Sequence, residues 1–470
     1  MTYVPNTRAE QEEMLRSLGI SRIEDLLASV PEEVRLKRPL DLPPALTEIE
    51  LRRLLGSMAE RNTDLDHLIS FLGAGNYDHF VPSVVEHLVK RSEFYTSYTP
   101  YQPEISQGIL QATYEYQTMV CQLTGMDVAN ASLYDGATAT VEAALLAVGP
   151  SGRGDVLVSR AVDPQYRQVL RTYAHGRGFT LKEIACENGV TAVADLERLL
   201  SADTRAVIVQ HPNFFGNLEP VASIEHLTHR TRGLFIVAIT EPVSLALLNP
   251  PGAYNADIVA AEGISLGSAM NYGGPALGMF ACKAAYTRRL PGRIVGRTVD
   301  DRGQTGYVLT LQTREQHIRR ERATSNICTN QALMALAATI HLAALGKQGF
   351  RSVGEQCLQK AHYAYDRLTQ IPGFSPAFNQ PFFDEFVLRC PVPARDLVAA
   401  LAPRGIIPGY DLSRDYPELT HALLVCVTEM RTRADIDALA DALRAATSQR
   451  VAPSPAREPS TAERTGVRER

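Results

Sequence analysis

Between residues 129 and 283, short apolar runs alternate with stretches of helical periodicity, and this alternation constrains the fold more than any other feature of the chain. The runs fall at 129–134, 156–159, 179–184, 206–210, 234–239, 258–261 and 276–281, separated by helix-patterned segments such as 139–147, 194–200 and 224–230. Continuously apolar strands must be covered on both faces, and strands joined through helices lie parallel. An α/β domain with a mostly parallel sheet is therefore expected. A chain of 470 residues also exceeds a single core, so a smaller α+β domain should follow. Strands at 386–388 and 423–427 and a final helix opened by Thr432 and Asp435 fit it. The expected division is a helical segment at 1–90, a large domain at 91–350, a small domain at 351–446 and a disordered Pro/Ser/Arg/Glu-rich tail at 447–470.

In the first ninety residues, Ser21 with Glu24 and Thr47 with Glu50 match capping boxes, the second opening a helix to about 56. Four prolines between 31 and 44 mark a surface connection. The glycines at 73 and 75 lack a following Gly-Lys-Ser/Thr, so 71–77 reads as a backbone turn rather than a phosphate loop. Farther on, 286–313 reads as a glycine-rich linker, 314–322 as a basic helix, 324–330 as a hydroxyl-rich turn, and 331–345 as an apolar helix packed on the sheet or on a partner.

The densest aromatic cluster lies at 94–101, in a chain without tryptophan. Tyr95, Tyr98 and Tyr101 are interrupted by Pro100 and Pro103, which predicts an extended, turning segment that presents phenols at a surface or cleft. Apolar positions from Ile105 to Leu123 then recur at helical spacing, and Gly125 stops the helix. The following turn, Asp135-Gly136-Ala137-Thr138, leads into an alanine-rich helix. Such a turn is either a plain strand-to-helix connection or an anion cup built from free N–H groups and the helix dipole. Asp135 would repel phosphate, so the cup is expected to be vacant.

A net charge of -5 gives no general affinity for nucleic acid or anionic membranes, and no apolar run approaches the ~20 residues of a bilayer span. The first residues resemble neither a signal nor a transit peptide, so a cytoplasmic location is expected. Seven scattered cysteines without C-x-x-C spacing argue against disulfides and zinc sites, and His79, His211 and His317 are read as isolated, hydrogen-bonded structural histidines; no metal is expected.

The motifs EFYTSYTPYQPEISQG, YQTMVCQLTGMDVANASLYDGATAT, NFFG, GGPALG, PGRIVGRT and LTLQTREQHIRRERATSNICTNQAL together resemble the alpha subunit of two-subunit bacterial glycine decarboxylases, the P-protein of the glycine cleavage system. The resemblance runs from the N-terminus to about Ala446. It implies the aspartate-aminotransferase fold (fold type I) of pyridoxal-phosphate enzymes. It also implies a reaction in which glycine loses carbon dioxide and its aminomethyl group passes to the lipoyl arm of the H-protein.

That chemistry needs a lysine to hold the cofactor and an acid opposite the pyridine nitrogen. In this fold the lysine belongs within 262–278, which contains none; of Lys37, Lys90, Lys182, Lys283, Lys347 and Lys360, only Lys283 is near in sequence. Where the acid should end the preceding strand stand Thr240 and Glu241. The resemblance therefore implies an alpha subunit with no autonomous catalytic residue, whose beta partner in an alpha2-beta2 tetramer carries pyridoxal phosphate. Across that interface, Tyr95, Tyr98, Tyr101, Gln102 and Glu104 are expected to line a substrate or lipoyl passage, with interface packing as the alternative. Asn271, Tyr272, Gly273 and Gly274 are expected to approach the partner's cofactor phosphate. Arg314, His317, Arg320, Thr324 and Asn326 are candidates for a carboxylate or an acidic partner, or for plain salt bridges. The competing readings are a non-catalytic scaffold of the same fold and an autonomous pyridoxal-phosphate lyase.

Overall fold

The structure, a computed structural model, describes residues 5–149, 152–323, 325, 327 and 330–448. The chain divides into two compact units, before and after Thr63.

In the first unit, Thr47 and Glu50 form the expected capping box, their side chains each accepting the other's backbone N–H, and open the helix Glu48–Ala59. The box expected at Ser21 does not form. Asp25 instead accepts both the Ser21 and Arg22 N–H groups, and a 3-10 turn, Ile23–Leu27, follows. A carboxylate one residue farther along reaches both free donors, which Glu24 does not. A second box, Thr7 with Glu10, opens Arg8–Ser17. No residue of these helices is buried, and Leu51, Leu54, Leu55 and Met58 are exposed.

The second unit is built on a seven-stranded sheet in the order Val128–Ala129, Gly278–Cys282, Ile258–Glu262, Leu234–Ile239, Thr204–Gln210, Asp155–Ser159, Thr180–Ile184. The last five are mutually parallel, and Gly278–Cys282 runs antiparallel to both its neighbours. Alternate side chains feed two cores, as the two-residue period of a strand requires. Val207, Val209, Phe235, Val237 and Val259 meet the helices Gln107–Thr124 and Ala332–Thr369 on one face. Val156, Ile208, Ile236, Ala260 and Phe280 meet Gly136–Val148 and Pro164–Arg177 on the other. The apolar helix expected at 331–345 is thus core, with Ala335, Ala337 and Ala338 buried, and it continues to Thr369 past a break at Gly346, φ 59°.

Gln107–Thr124 ends as expected at Gly125 in the left-handed region. Two expectations fail beyond the sheet. The expected linker holds an antiparallel hairpin, Ile294–Val299 with Thr305–Thr310, because its glycines flank residues of strand character. The expected basic helix breaks into the short turns Gln312–Arg314, Gln316–Arg319 and Arg320–Arg322, with Arg320 at φ 52°. Its adjacent arginines repel one another and lack a continuous apolar face to bury. A four-stranded antiparallel sheet containing Glu385–Arg389 and Ala422–Cys426, with the helix Arg433–Ser448 on it, forms the C-terminal layer. Thr432 and Asp435 cap that helix reciprocally. Ile69–Ser70 pairs in parallel with Ile406–Ile407 of the same layer. Residues 449–470 of the expected tail lie outside the described residues. Among the described residues, no helix is long and apolar enough to cross a membrane.

Candidate functional site

At the helix start Gly136–Val148, Asp135 caps Thr138 N–H at 2.7 Å. The cup is not vacant, contrary to expectation. Glu262, the last residue of its strand, puts Oε2 3.0 Å from the Gly136 N–H, while Oε1 accepts the amides of Gly263, Ile264 and Leu277 at 3.0, 3.1 and 2.9 Å. The position was hidden because Glu262 lies 126 residues from Gly136. Burial pushes the Glu262 carboxyl up to about 7, against the pull of these donors. Gly136 is packed so closely that a Cβ there would collide with Tyr166 Oη and come within 2.9 Å of Glu262 N.

The strand end that would present an acid to a cofactor ring is equally committed. Thr240 Oγ1 bonds Tyr77 Oη at 3.1 Å and Gln210 Nε2 at 3.0 Å. Glu241 accepts Val243 N–H, Ser265 Oγ–H and His79 Nε2 at 2.7, 3.0 and 2.9 Å. Tyr77 in turn donates to Glu385, which accepts Ala74 N–H at 2.8 Å and so fixes the turn after Phe71. The loop 263–277 carries no lysine, and Lys283 is held away from it by Asp257 Oδ1 at 2.7 Å and Asn255 Oδ1 at 2.8 Å. These residues do not fit a covalently held pyridoxal phosphate, because the amide cup, the acid position and the lysine are each filled, committed or absent.

His79 is not isolated. Its ring lies between Glu241 and Glu429, Nδ1 being 2.7 Å from Glu429 Oε2. Burial opposes its charge, but the two carboxylates prevail and hold the imidazole well above its usual range. His211 is structural as expected: partly buried, pushed down to about 4 by desolvation, and accepting the Glu219 N–H.

The tyrosine segment forms the wall of a surface groove. Tyr98, 82% exposed, lines both a cavity of about 230 Å³ with Arg293 and Asn330 and a smaller one with Tyr95 and Tyr116. Tyr95 closes the short helical turn Ser92–Tyr95 rather than lying in extended chain; Pro100 and Pro103 constrain only the residues near them. Tyr101 joins a cluster that the sequence left scattered. Arg293 Nη2 donates to Tyr101 Oη at 3.2 Å and Nη1 to Asn330 Oδ1 at 3.0 Å, with the guanidinium 5.6 Å from the Tyr101 ring centre. His317 meets the same ring edge-on at 5.6 Å, and Glu315 stands 3.7 Å from Arg293. Gln102 and Glu104 are exposed beside the groove and line neither cavity. Arg293 escaped attention although it lies within PGRIVGRT; a buried arginine has no local sequence signature.

The remaining candidates separate. Asn271, Tyr272, Gly273 and Gly274 sit on a projecting turn, Tyr272 being 87% exposed, away from the chain's own cup residues in the hydrogen-bond network. Arg314 is partly buried and donates to the carbonyls of Leu290 and Gly292, so its fork serves the backbone. Arg320 is exposed, and Thr324 and Asn326 lie outside the described residues.

Residues 1–443 match the sequence profile of the glycine cleavage system P-protein. The chain belongs to the glycine cleavage system P-protein family. It is 55% identical over 444 residues to the probable glycine dehydrogenase (decarboxylating) subunit 1 of Moorella thermoacetica, covering 94% of this chain and 99% of that one. A solved glycine decarboxylase (P-protein) of the glycine cleavage system, in inhibitor-bound form, superposes with a TM-score of 0.87 at 45% identity, over 95% of this chain and all of that one. A sphingosine-1-phosphate lyase of Burkholderia pseudomallei, 15% identical, shares the fold at a TM-score of 0.62 over 89% of this chain and 94% of its own. The fold is that of fold-type I pyridoxal-phosphate enzymes.

Proposed function

We propose that this chain is the alpha subunit of a glycine decarboxylase and completes a cofactor site that its beta partner contains. One observation carries the reading: Glu262 occupies the amide cup at Gly136 in a chain with no lysine at 263–277. A carboxylate already bonded to four amides leaves no room there for a phosphate and repels one electrostatically. The family relationship supports glycine as substrate. Pyridoxal phosphate on the beta subunit supplies the electron sink for decarboxylation, and the lipoylated H-protein takes the aminomethyl group. In an alpha2-beta2 assembly, this chain contributes walls.

Within that assembly the groove at 94–101 is the cross-subunit passage. Tyr95 and Tyr98 offer phenols to a small zwitterion or a lipoyl arm, and Tyr101, steadied by Arg293, fixes the end of the segment. The exposed turn at Asn271, Tyr272, Gly273 and Gly274 is free to reach the partner's phosphate, since glycine permits close backbone approach. Covering the groove excludes water from the reacting centre.

The test is borohydride reduction of the reconstituted pair in the presence of pyridoxal phosphate, followed by peptide mapping. Stoichiometric label should appear on the beta chain alone. One fully labelled lysine in this chain would overturn the assignment.

A further inference from the structure

His79, Cys357 and Glu429 are brought together from positions 350 and 72 residues apart. Glu429 Oε2 lies 2.7 Å from His79 Nδ1 and 3.5 Å from Cys357 Sγ, and one ligand atom from each residue falls within 4.8 Å of the others. The glycine reaction as proposed makes no use of this cluster. We propose that His79, Cys357 and Glu429 form a zinc site, with His79 Nδ1, the Cys357 thiolate and a Glu429 oxygen as ligands and a fourth position open to the adjoining cavity.

The donor set suits a borderline-soft ion: one nitrogen, one sulfur, one oxygen. Tetrahedral zinc would place sulfur and oxygen ~3.6 Å apart and nitrogen and oxygen ~3.4 Å apart. The first separation is already present at 3.5 Å, and the second needs the Glu429 oxygen to move about 0.7 Å away from His79 Nδ1. The neighbouring groups are arranged as a metal centre requires. Glu241 accepts from His79 Nε2 at 2.9 Å, which orients the ring and leaves Nδ1 for the ion, while Ser265 and Val243 N–H fix Glu241.

A cavity of about 260 Å³ adjoins the cluster, lined by His79, Glu429, Ser265, Gln356 and His341 among others. His341 is 96% buried, and its Nδ1 has no hydrogen-bond partner among the described residues. Desolvation lowers its pKa to about 4, so it is a neutral imidazole able to bond a water or small ligand in the fourth position.

Charge argues the same way. Around His79 are Glu241, Glu429 and Asp384, the last with one buried oxygen unpartnered, together with the thiol of Cys357. The nearby cations are engaged elsewhere: Lys360 at the Glu429 carbonyl and Arg431 on Asp78. Zinc would displace the Cys357 thiol proton and the proton between His79 Nδ1 and Glu429 to solvent.

The test uses the full-length chain, expressed with its second subunit, stripped by chelator and dialysed against zinc or cobalt. One equivalent of zinc attributable to this chain should be retained, and the cobalt form should show a thiolate-to-cobalt charge-transfer band in the near ultraviolet. Cys357→Ser should abolish the band, while Cys282→Ser, a buried thiol in the sheet, should leave it. Glu241→Gln should weaken zinc binding by about ten- to a hundredfold through the misoriented His79. No stoichiometric metal in the wild type, cobalt bound without a thiolate band, or a band that survives Cys357→Ser would each overturn the site. The wild-type measurements decide the matter even if a variant fails to fold.

Discussion

Glu262 Oε2 accepts the Gly136 amide at 3.0 Å, so the last side chain of one strand plugs the first turn of the neighbouring helix. This carboxyl is pushed from 4.5 up to about 7 by burial. Its folded pKa exceeds its unfolded one, so the native state binds more protons between those values. The associated stability is fully present below about 4.5 and is lost as pH rises through about 7. The shift corresponds to a cost on the order of 3 kcal/mol once the group is ionised. Glu262→Gln imitates the protonated form but loses an acceptor for Gly136, adding a pH-independent penalty. Thermal melts between pH 5 and 8.5 should therefore show the variant losing less stability than wild type as pH rises. Parallel curves would contradict the assignment.

Gly136→Ala should destabilise the chain, because the new methyl meets Tyr166 Oη and the Glu262 backbone nitrogen. Overpacking of this kind costs ~1–3 kcal/mol or more. Tyr166→Phe removes the worst collision but leaves contacts of 2.9 Å to Tyr166 Cζ and Glu262 N. The double variant should recover part of the loss in a denaturant-unfolding cycle. Additive effects would show that the two residues do not press on one another.

The helix Glu48–Ala59 exposes Leu51, Leu54, Leu55 and Met58 and buries nothing. Exposed apolar rows of this length mark interaction surfaces. Leu51→Glu with Leu55→Glu should weaken assembly with the second subunit by about 1–3 kcal/mol per site and leave the melting of residues 64–448 unchanged. Sedimentation velocity of the pair, alongside calorimetry of the chain alone, separates the two effects. Intact assembly at nanomolar concentration would remove this helix from the interface.

The sheet was legible because most of its strands are short, continuously apolar runs, six of which lie within two residues of where they were expected; the run at 129–134 shortens to Val128–Ala129 because the chain leaves the sheet edge for the turn at Asp135. Gly125 and the Thr47 and Thr432 caps were legible for the same reason: their signal is local. What escaped was long-range. Glu262 on Gly136, Arg293 on Tyr101, and Glu241 and Glu429 on His79 pair residues 126, 192, 162 and 350 positions apart, where no spacing rule operates. The basic stretch 314–322 failed differently. Arg314 is drawn to the carbonyls of Leu290 and Gly292, a tertiary demand that overrides helix propensity.

Tyr98 lines the groove with Ile109, Thr113 and Arg293 and is 82% exposed, so its ring contributes little to the packing of its own chain. In the proposed passage its hydroxyl would bond a substrate or lipoyl arm entering from the second subunit. Tyr98→Phe keeps the ring and deletes one hydrogen bond, which for a charged acceptor is worth ~1.5–3 kcal/mol. If that bond is made only in the transition state, glycine–bicarbonate carboxyl exchange by the reconstituted enzyme should fall about ten- to a hundredfold. Assembly and cofactor content should be unchanged, since the ring still packs. The measurement is made with saturating H-protein, so that a weakened encounter does not masquerade as slower chemistry. Wild-type exchange would remove Tyr98 from the passage, and reduced exchange together with weaker assembly would assign it to the interface instead.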